Sequence, residues 1–380
     1  MFLSQLIHIR PALWDIFCHV VDNLGDVGVC WRLSADLAAR GQQVRLWVDD
    51  PEPLHWMAPG ALEAQWPGIE VISWTRPLPE GLAASLPTAN VWIEAFGCDP
   101  ADEMIRDLAD RIGRGEPAPV WINLEYLSAE AWVERCHSLP SPILTGPLKG
   151  LTKTFFYPGF TPATGGLLRE QDLEVRQSAF DAQVWRHRHG VPDDALAVSL
   201  FCYDPAPALA MLMAQSKQVA RPVHWLVTPG RASQAMEAAL AELPANQRPP
   251  AEHIHHLPLV DQRSFDEMLW ACDLNIVRGE DSLVRALWAG KPFIWHIYPQ
   301  HDLAHHVKLE AFLDWFGAPD DWRRLMRVWN GVSDVSGTTW PSPASMQAAA
   351  HRSGSRDGTG YGVQDLSSSL LDHACRNRPC

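Results

Sequence analysis

Apolar residues along this chain fall into short unbroken runs separated by stretches of helical spacing, and that alternation alone predicts most of its elements. The run WDIFCHV (Trp14 to Val20) reads as a buried strand, and VGVCWRLSADLAAR after Asp26 repeats apolar residues at helical intervals until Gly41 stops it. VRLWVDD (Val44 to Asp50) is the next strand and completes a β-α-β unit. VWIEAF (Val91 to Phe96) and VWINLEYL (Val120 to Leu127) are two more candidates for parallel strands, with the helical pattern ADEMIRDLADRIG between them. Between Pro140 and about Gly190 the chain is rich in Pro, Gly and Thr, which suits an irregular connection, so the domain boundary is placed there. The alternation then restarts with strands ALAVSLFCY, VHWLVTPG, a short one near His253 to Leu257, DLNIVRG and PFIWHIY, each followed by a helical pattern. The prediction is an α/β protein with domains at 1–180 and 181–330, followed by a tail, 331–380, whose Ser, Gly and Thr content and weak periodicity predict poor order.

The length of 380 residues agrees with two domains, each large enough to bury a core. A net charge of −14 makes a nucleic-acid backbone an unsuitable partner, while leaving room for a basic partner or a locally basic anion site. Eight scattered cysteines with no C-x-x-C pair read as reduced, buried thiols. No run approaches the roughly 18 apolar residues of a membrane span, and the opening MFLSQLIHIR lacks the pattern of a secretory leader, so a cytoplasmic protein without a membrane partner is expected.

Three strand-to-helix junctions carry polar residues of chemical interest, at the place where open α/β sheets bind ligands. The first, V-D-N-L-G-D-V-G, puts Asp22 and Asp26 at the border of a ligand site; both types are also ordinary turn residues, and Asp26 is equally suited to capping the helix. The dinucleotide fingerprint G-x-G-x-x-G is absent, which argues against a nicotinamide oxidoreductase. In the second, R-G-E-D-S, Arg278 offers a planar cationic fork to a leaving diphosphate and Glu280 an acceptor for ribose hydroxyls; Asp281 or Ser282 is expected to cap a helix whose free N–H groups seat an anion. The alternative is an Arg-carboxylate pair that ties the loop. In the third, Y-P-Q-H-D-L-A-H-H, Gln300 and Asp302 suit sugar hydroxyls, whereas His301 and His305 lack the context of a metal motif.

Longer strings resemble a known family. W-D-I-F-C-x-V-V-D-N-x-G-D-x-G-V-C-W-R-L, W-I-N-L-E-Y-L-S-A-E, P-G-F-T-x-x-T-G-G-L-L-R-E and R-G-E-D-S-x-V-R-A-x-W-A-G-K-P-F-x-W-H-I-Y-P-Q are similar to the bacterial elongation factor P arginine rhamnosyltransferases, over about Trp14 to Asn330. The resemblance implies the GT-B architecture, two Rossmann-like domains facing across a cleft, and inverting transfer of L-rhamnose from dTDP-β-L-rhamnose to an arginine of elongation factor P, with no cofactor or metal. It also implies that the D-N-x-G-D motif falls on Asp22, Asn23, Gly25 and Asp26, with Asp26 as general base and Asp22 supporting it. The nucleotide-binding residues fall on Arg278, Glu280, Asp281 and Ser282, with Tyr203 as the strand-end aromatic and Gln262 in the base loop; Leu259 stands where the family usually has an aromatic. A nucleotide-sugar epimerase of the same fold and a non-catalytic elongation factor P binding protein are the alternatives. The family normally finishes in apolar helices. This chain turns Ser/Gly-rich after Trp329, so an altered reading frame and a non-native tail are expected, along with an unusual extension at MFLSQLIHIRPAL.

Overall fold

Runs apolar on both faces belong in the middle of parallel sheets, and the chain builds two of them. The computed structural model describes residues 11–21, 24–353 and 363–378. Its strands are β1 (Leu13–Cys18), β2 (Gln43–Val48), β3 (Ile69–Ser73), β4 (Val91–Ala95), β5 (Val120–Leu124), β6 (Pro140–Pro142), β7 (Thr152–Phe156), β8 (Leu196–Leu200), β9 (Val223–Val227), β10 (Ile254–His256), β11 (Leu274–Arg278) and β12 (Phe293–His296). One sheet has the order β3-β2-β1-β4-β5-β7-β6 and is parallel except for the β6–β7 pair; the other is β10-β9-β8-β11-β12 and wholly parallel. Each order reverses once, at β1/β4 and at β8/β11. Such a reversal leaves a crevice beyond the strands' carboxyl ends.

The first unit comprises residues 1–127, 131–171 and 363–380, and the second 128–130 and 172–362. In the first, alternate residues of β1 serve two cores. Trp14, Ile16 and Cys18 meet Val27, Cys30 and Trp31 of the helix Gly25–Ala39, whereas Phe17 joins Trp47, Trp92 and Trp121 beneath Met104 and Leu108 of the helix Asp102–Gly113. Between the strands, Arg45 pairs with its register neighbour Asp15 through two bonds of 2.6 and 2.7 Å, and the Trp47 indole adds a third at 2.9 Å. A charge pair this deep needs such added hydrogen bonds to offset the loss of water.

Two expectations about organisation fail. The Pro-rich stretch after Pro140 is not all connection, since β6 and β7 add to the first sheet; the break falls inside that stretch but after Gln171 rather than 180, and the first unit resumes at 363. Nor do the described residues of 331–380 lack regular structure. Pro343–Ser353 is a helix whose Arg352 donates to the Phe316 carbonyl at 3.0 Å within the second unit. Leu366–Asn377 is a helix of the first unit: Leu366, Leu370, Leu371 and Ala374 are buried in the core that holds Trp14 and Ile16, and Arg40 ties Asp365 and Ser368 at 2.6 and 2.8 Å. Apolar spacing of four, one and three residues makes one helical stripe, so helix and packing both count against an altered reading frame. Residues 1–10 of the expected extension and 354–362 of the tail lie outside the described residues.

Candidate active-site residues

In the first unit the chain leaves β1 at Cys18 and enters its helix at Gly25, beside the β1/β4 reversal. Asp26 is buried in the helix's first turn, and its carboxylate accepts the backbone N–H of Val21 at 2.9 Å. It is therefore not the cap. Leu24 occupies that position without a side-chain bond, and Asp26 reaches back to hold the loop. Asp49, at the end of β2, accepts from the Val20 N–H at 2.9 Å and bonds His19 Nδ1, so two carboxylates grip one short loop. Their charge is felt nearby: the Cys18 thiol is pushed well up by its hydrogen bond with Cys30, then by burial, with Asp26 and Asp49 adding. Asp22 and Asn23 lie outside the described residues. Asp49 was not singled out from sequence, although its place at a strand end in VRLWVDD was the available signal.

In the second unit, all five parallel strands present their carboxyl ends on one edge, and the predicted residues follow those ends. Tyr203 comes after β8, Arg278 ends β11, Gln262 follows β10, and Gln300 and Asp302 follow β12. Neighbouring strands lie about 4.8 Å apart, so the edge is short. Tyr203 and Arg278 flank the reversal and are in direct contact: the guanidinium carbon sits 4.8 Å from the Tyr203 ring and 4.6 Å from that of Phe201, and Nη1 donates to the Cys202 carbonyl at 3.2 Å. Stacking on two aromatic faces and a carbonyl fixes the plane of the fork. His296 packs edge-on to Tyr203, and its pKa falls to about 3, through burial first and then the charge of Arg278. A neutral imidazole there adds no charge beside Arg278.

The helix after Arg278 starts three residues before the expected Ser282. Gly279, at φ +69°, turns the strand directly into the helix Gly279–Ala289, a conformation that favours glycine. Arg278 is itself the cap position, Glu280 and Asp281 are in the first turn, and the Ser282 hydroxyl bonds the Arg278 carbonyl instead of capping. Glu280 pairs with Lys308 at 3.1 Å. Gln262 opens the helix Gln262–Ala271, capped by Asp261, which accepts from the Ser264 N–H at 2.9 Å. Gln300 and Asp302 are exposed in a turn, where Asp302 accepts from the Ala304 N–H at 3.1 Å. The structure thus joins Tyr203, Arg278 and Ser282 in one cluster and sets Gln262, Gln300 and Asp302 along the same edge. One residue was missed: Arg231, first in the helix after β9, lies 5.6 Å from the Tyr203 ring and gives that ring a second guanidinium. Its signal was a strand-end T-P-G-R.

Comparison with known proteins finds relatives over most of the chain. Residues 14–374 match the family model described as "Elongation-Factor P (EF-P) rhamnosyltransferase EarP". A protein-arginine rhamnosyltransferase of Pseudomonas putida is 44% identical over 353 residues, covering 87% of this chain and 89% of its own length. One from Shewanella oneidensis is 39% identical over 89% of this chain and 91% of its own. A solved structure reported as the structural basis for EarP-mediated arginine glycosylation of translation elongation factor EF-P is 29% identical, with a TM-score of 0.59 over 96% of this chain and 99% of its own.

Proposed function

The chain belongs to the elongation factor P rhamnosyltransferase family, a glycosyltransferase of GT-B fold with two Rossmann-like domains, and from that premise we propose that it moves L-rhamnose from dTDP-β-L-rhamnose to one arginine of elongation factor P, with inversion. The observation that supports this reading is a family match over residues 14–374, a range that contains both the D-N-L-G-D loop and R-G-E-D-S.

A guanidinium holds its proton to a pKa above about 12, so it attacks a sugar only if a base orients it and accepts that proton. Asp26 takes this role, with Asp22 in support, and Asn23 and Gly25 contribute to substrate binding. As the guanidino nitrogen bonds to the anomeric carbon, the proton passes to the carboxylate. The bond from that carbon to the diphosphate oxygen breaks, and its electron pair leaves with dTDP. Developing charge on the diphosphate is met by Arg278, already planar against Tyr203, and by the first turn of the helix at Gly279, where preorganised donors act most strongly. Glu280 and Asp281 suit the nucleoside's hydroxyls, Gln262 the base, and Gln300 and Asp302 the sugar. This route draws on no metal.

Mass spectrometry of elongation factor P incubated with enzyme and dTDP-β-L-rhamnose tests the reading. The expected result is a gain of one deoxyhexose on a single arginine. No gain, or a new nucleotide sugar formed from donor alone, overturns it.

A further inference from the structure

The first unit holds a cavity of about 490 Å³ that the proposed reaction does not use, within the roughly 300–1,000 Å³ usual for ligand sites. It opens beyond the carboxyl ends of β4 and β5, on the Phe17 face of the sheet and therefore opposite the helix that carries Asp26. Its floor is Glu94, Asn123 and Lys153; Asp99 and Asp102 line its rim, and the segment Ser141 to Leu148 walls one side.

The chemistry of the lining selects its occupant. Lys153 holds both Glu94 oxygens, at 2.7 and 2.8 Å, lies 3.5 Å from Asp99 and sits 4.7 Å over the Trp121 ring. That cation is committed to carboxylates, so the cavity does not suit an anion. Trp121 is buried with Lys153 on its face, which leaves no open aromatic platform for a sugar or a base. What remains is acceptor character. Asn123 Oδ1 is buried with no hydrogen-bond partner, and three carboxylates face one ammonium. Burial raises the Glu94 pKa, so a cationic donor nearby would favour its charged form. Groups that only donate, guanidinium and ammonium, complement this set. Pro142, Ile143 and Pro147 give an aliphatic stem its wall.

We propose that this cavity receives a basic side chain of the protein acceptor, distinct from the arginine that is modified, and so docks the acceptor by a second point. The inference rests on the acceptor being a protein, as proposed above. Calorimetry of intact elongation factor P with the full-length enzyme, without donor, tests it. Asp99→Asn with Asp102→Asn, and separately Thr145→Trp to fill the cavity, should each weaken binding of the factor at least fivefold while leaving dTDP affinity and thermal stability unchanged. Millimolar agmatine, an alkylguanidinium, should still displace the factor from Asp26→Asn, where competition at the reaction site is blunted. Unchanged affinity in the folded variants overturns the proposal, as does failure of the wild type to bind. Weakened binding that agmatine cannot mimic also overturns it, because the contact then does not recognise a cation. If the factor binds and the variants behave as expected but no rhamnose is transferred, the proposed reaction fails and the docking site stands.

Discussion

The two units share one five-strand order, β3-β2-β1-β4-β5 in the first and β10-β9-β8-β11-β12 in the second, and arm it with opposite charge. At the β1/β4 reversal of the first, carboxylates gather near the strand ends: Asp26 and Asp49 grip the loop after β1, and Glu94, next to last in β4, pairs with Lys153. At the β8/β11 reversal of the second, the corresponding positions carry Arg278, with Arg231 added on the other contact of Tyr203. The lesson is that the fold supplies only the place. A reversal of strand order gives each sheet a crevice, and the residue that ends each strand decides whether that crevice takes a cation or an anion. The proposed joining of a guanidinium to the sugar of a nucleoside diphosphate calls for one of each.

The sharpest break of that contrast is Asp26→Asn. The amide keeps an oxygen for the Val21 N–H, so the loop persists while the base is lost. General-base assistance is typically worth about 10²–10⁴-fold, and a fall of that order in kcat for rhamnosylation is expected, with dTDP affinity untouched. A rate within threefold of wild type would remove Asp26 from the chemistry. Next in size is Leu370→Ala, which empties a wholly buried site in the first unit's core. Such truncations cost about 2–5 kcal/mol, and hydrogen exchange should show the loss in the first unit's strands while β8 and β11 keep their protection.

How far the sequence revealed this follows the same division. Strands apolar on both faces and the junctions after them were readable, because burial in a parallel sheet demands continuous runs and the ligand edge follows from direction. TKTFF was not: Lys153 sits mid-strand, its charge satisfied by Glu94 far away in sequence, and β6 opens and closes on proline, which is tolerated only at an edge. The helix Leu366–Asn377 was hidden by its serines, although Leu366, Leu370 and Ala374 already marked a stripe. The start of the helix at Gly279 was misplaced because a glycine at positive φ makes a separate capping residue unnecessary. Arg231 and Asp49 acquire meaning only when strands distant in sequence become neighbours.

Arg278→Lys sharpens the contrast from the other side. Lysine keeps the charge but loses the plane that lies against Phe201 and Tyr203 and the bond to the Cys202 carbonyl. A drop of about tenfold in kcat/KM for the donor, about 1.4 kcal/mol, is expected, with affinity for elongation factor P unchanged. If donor kinetics hold and acceptor affinity falls instead, the assignment of cation to donor is reversed.

The smallest expected effect separates the units by acid sensitivity. In the first, His137 and His373 both pack edge-on to Phe156, and His137 Nδ1 accepts the Tyr157 N–H at 3.1 Å. Burial, with the charge of His373 adding, lowers His137 to about 4; burial and then Arg376 lower His373. In the second unit His296 is lowered further, to about 3. These are bases with depressed folded-state pKa values, so the sign is fixed. Below about 6.5 the unfolded chain takes up protons that the folded chain refuses, and stability falls with pH until the folded groups also titrate. For His137 the loss runs from about 6.5 down to about 4, and for His296 it continues to about 3. Acidification from pH 7 to 5 should therefore raise hydrogen exchange in Leu366–Asn377, the helix that His373 anchors on Phe156. His137→Gln, which keeps an acceptor for the Tyr157 N–H, should flatten that response and leave the acid limb of the second unit as it was. Equal pH dependence in wild type and variant would show that His137 does not govern the docking of this helix.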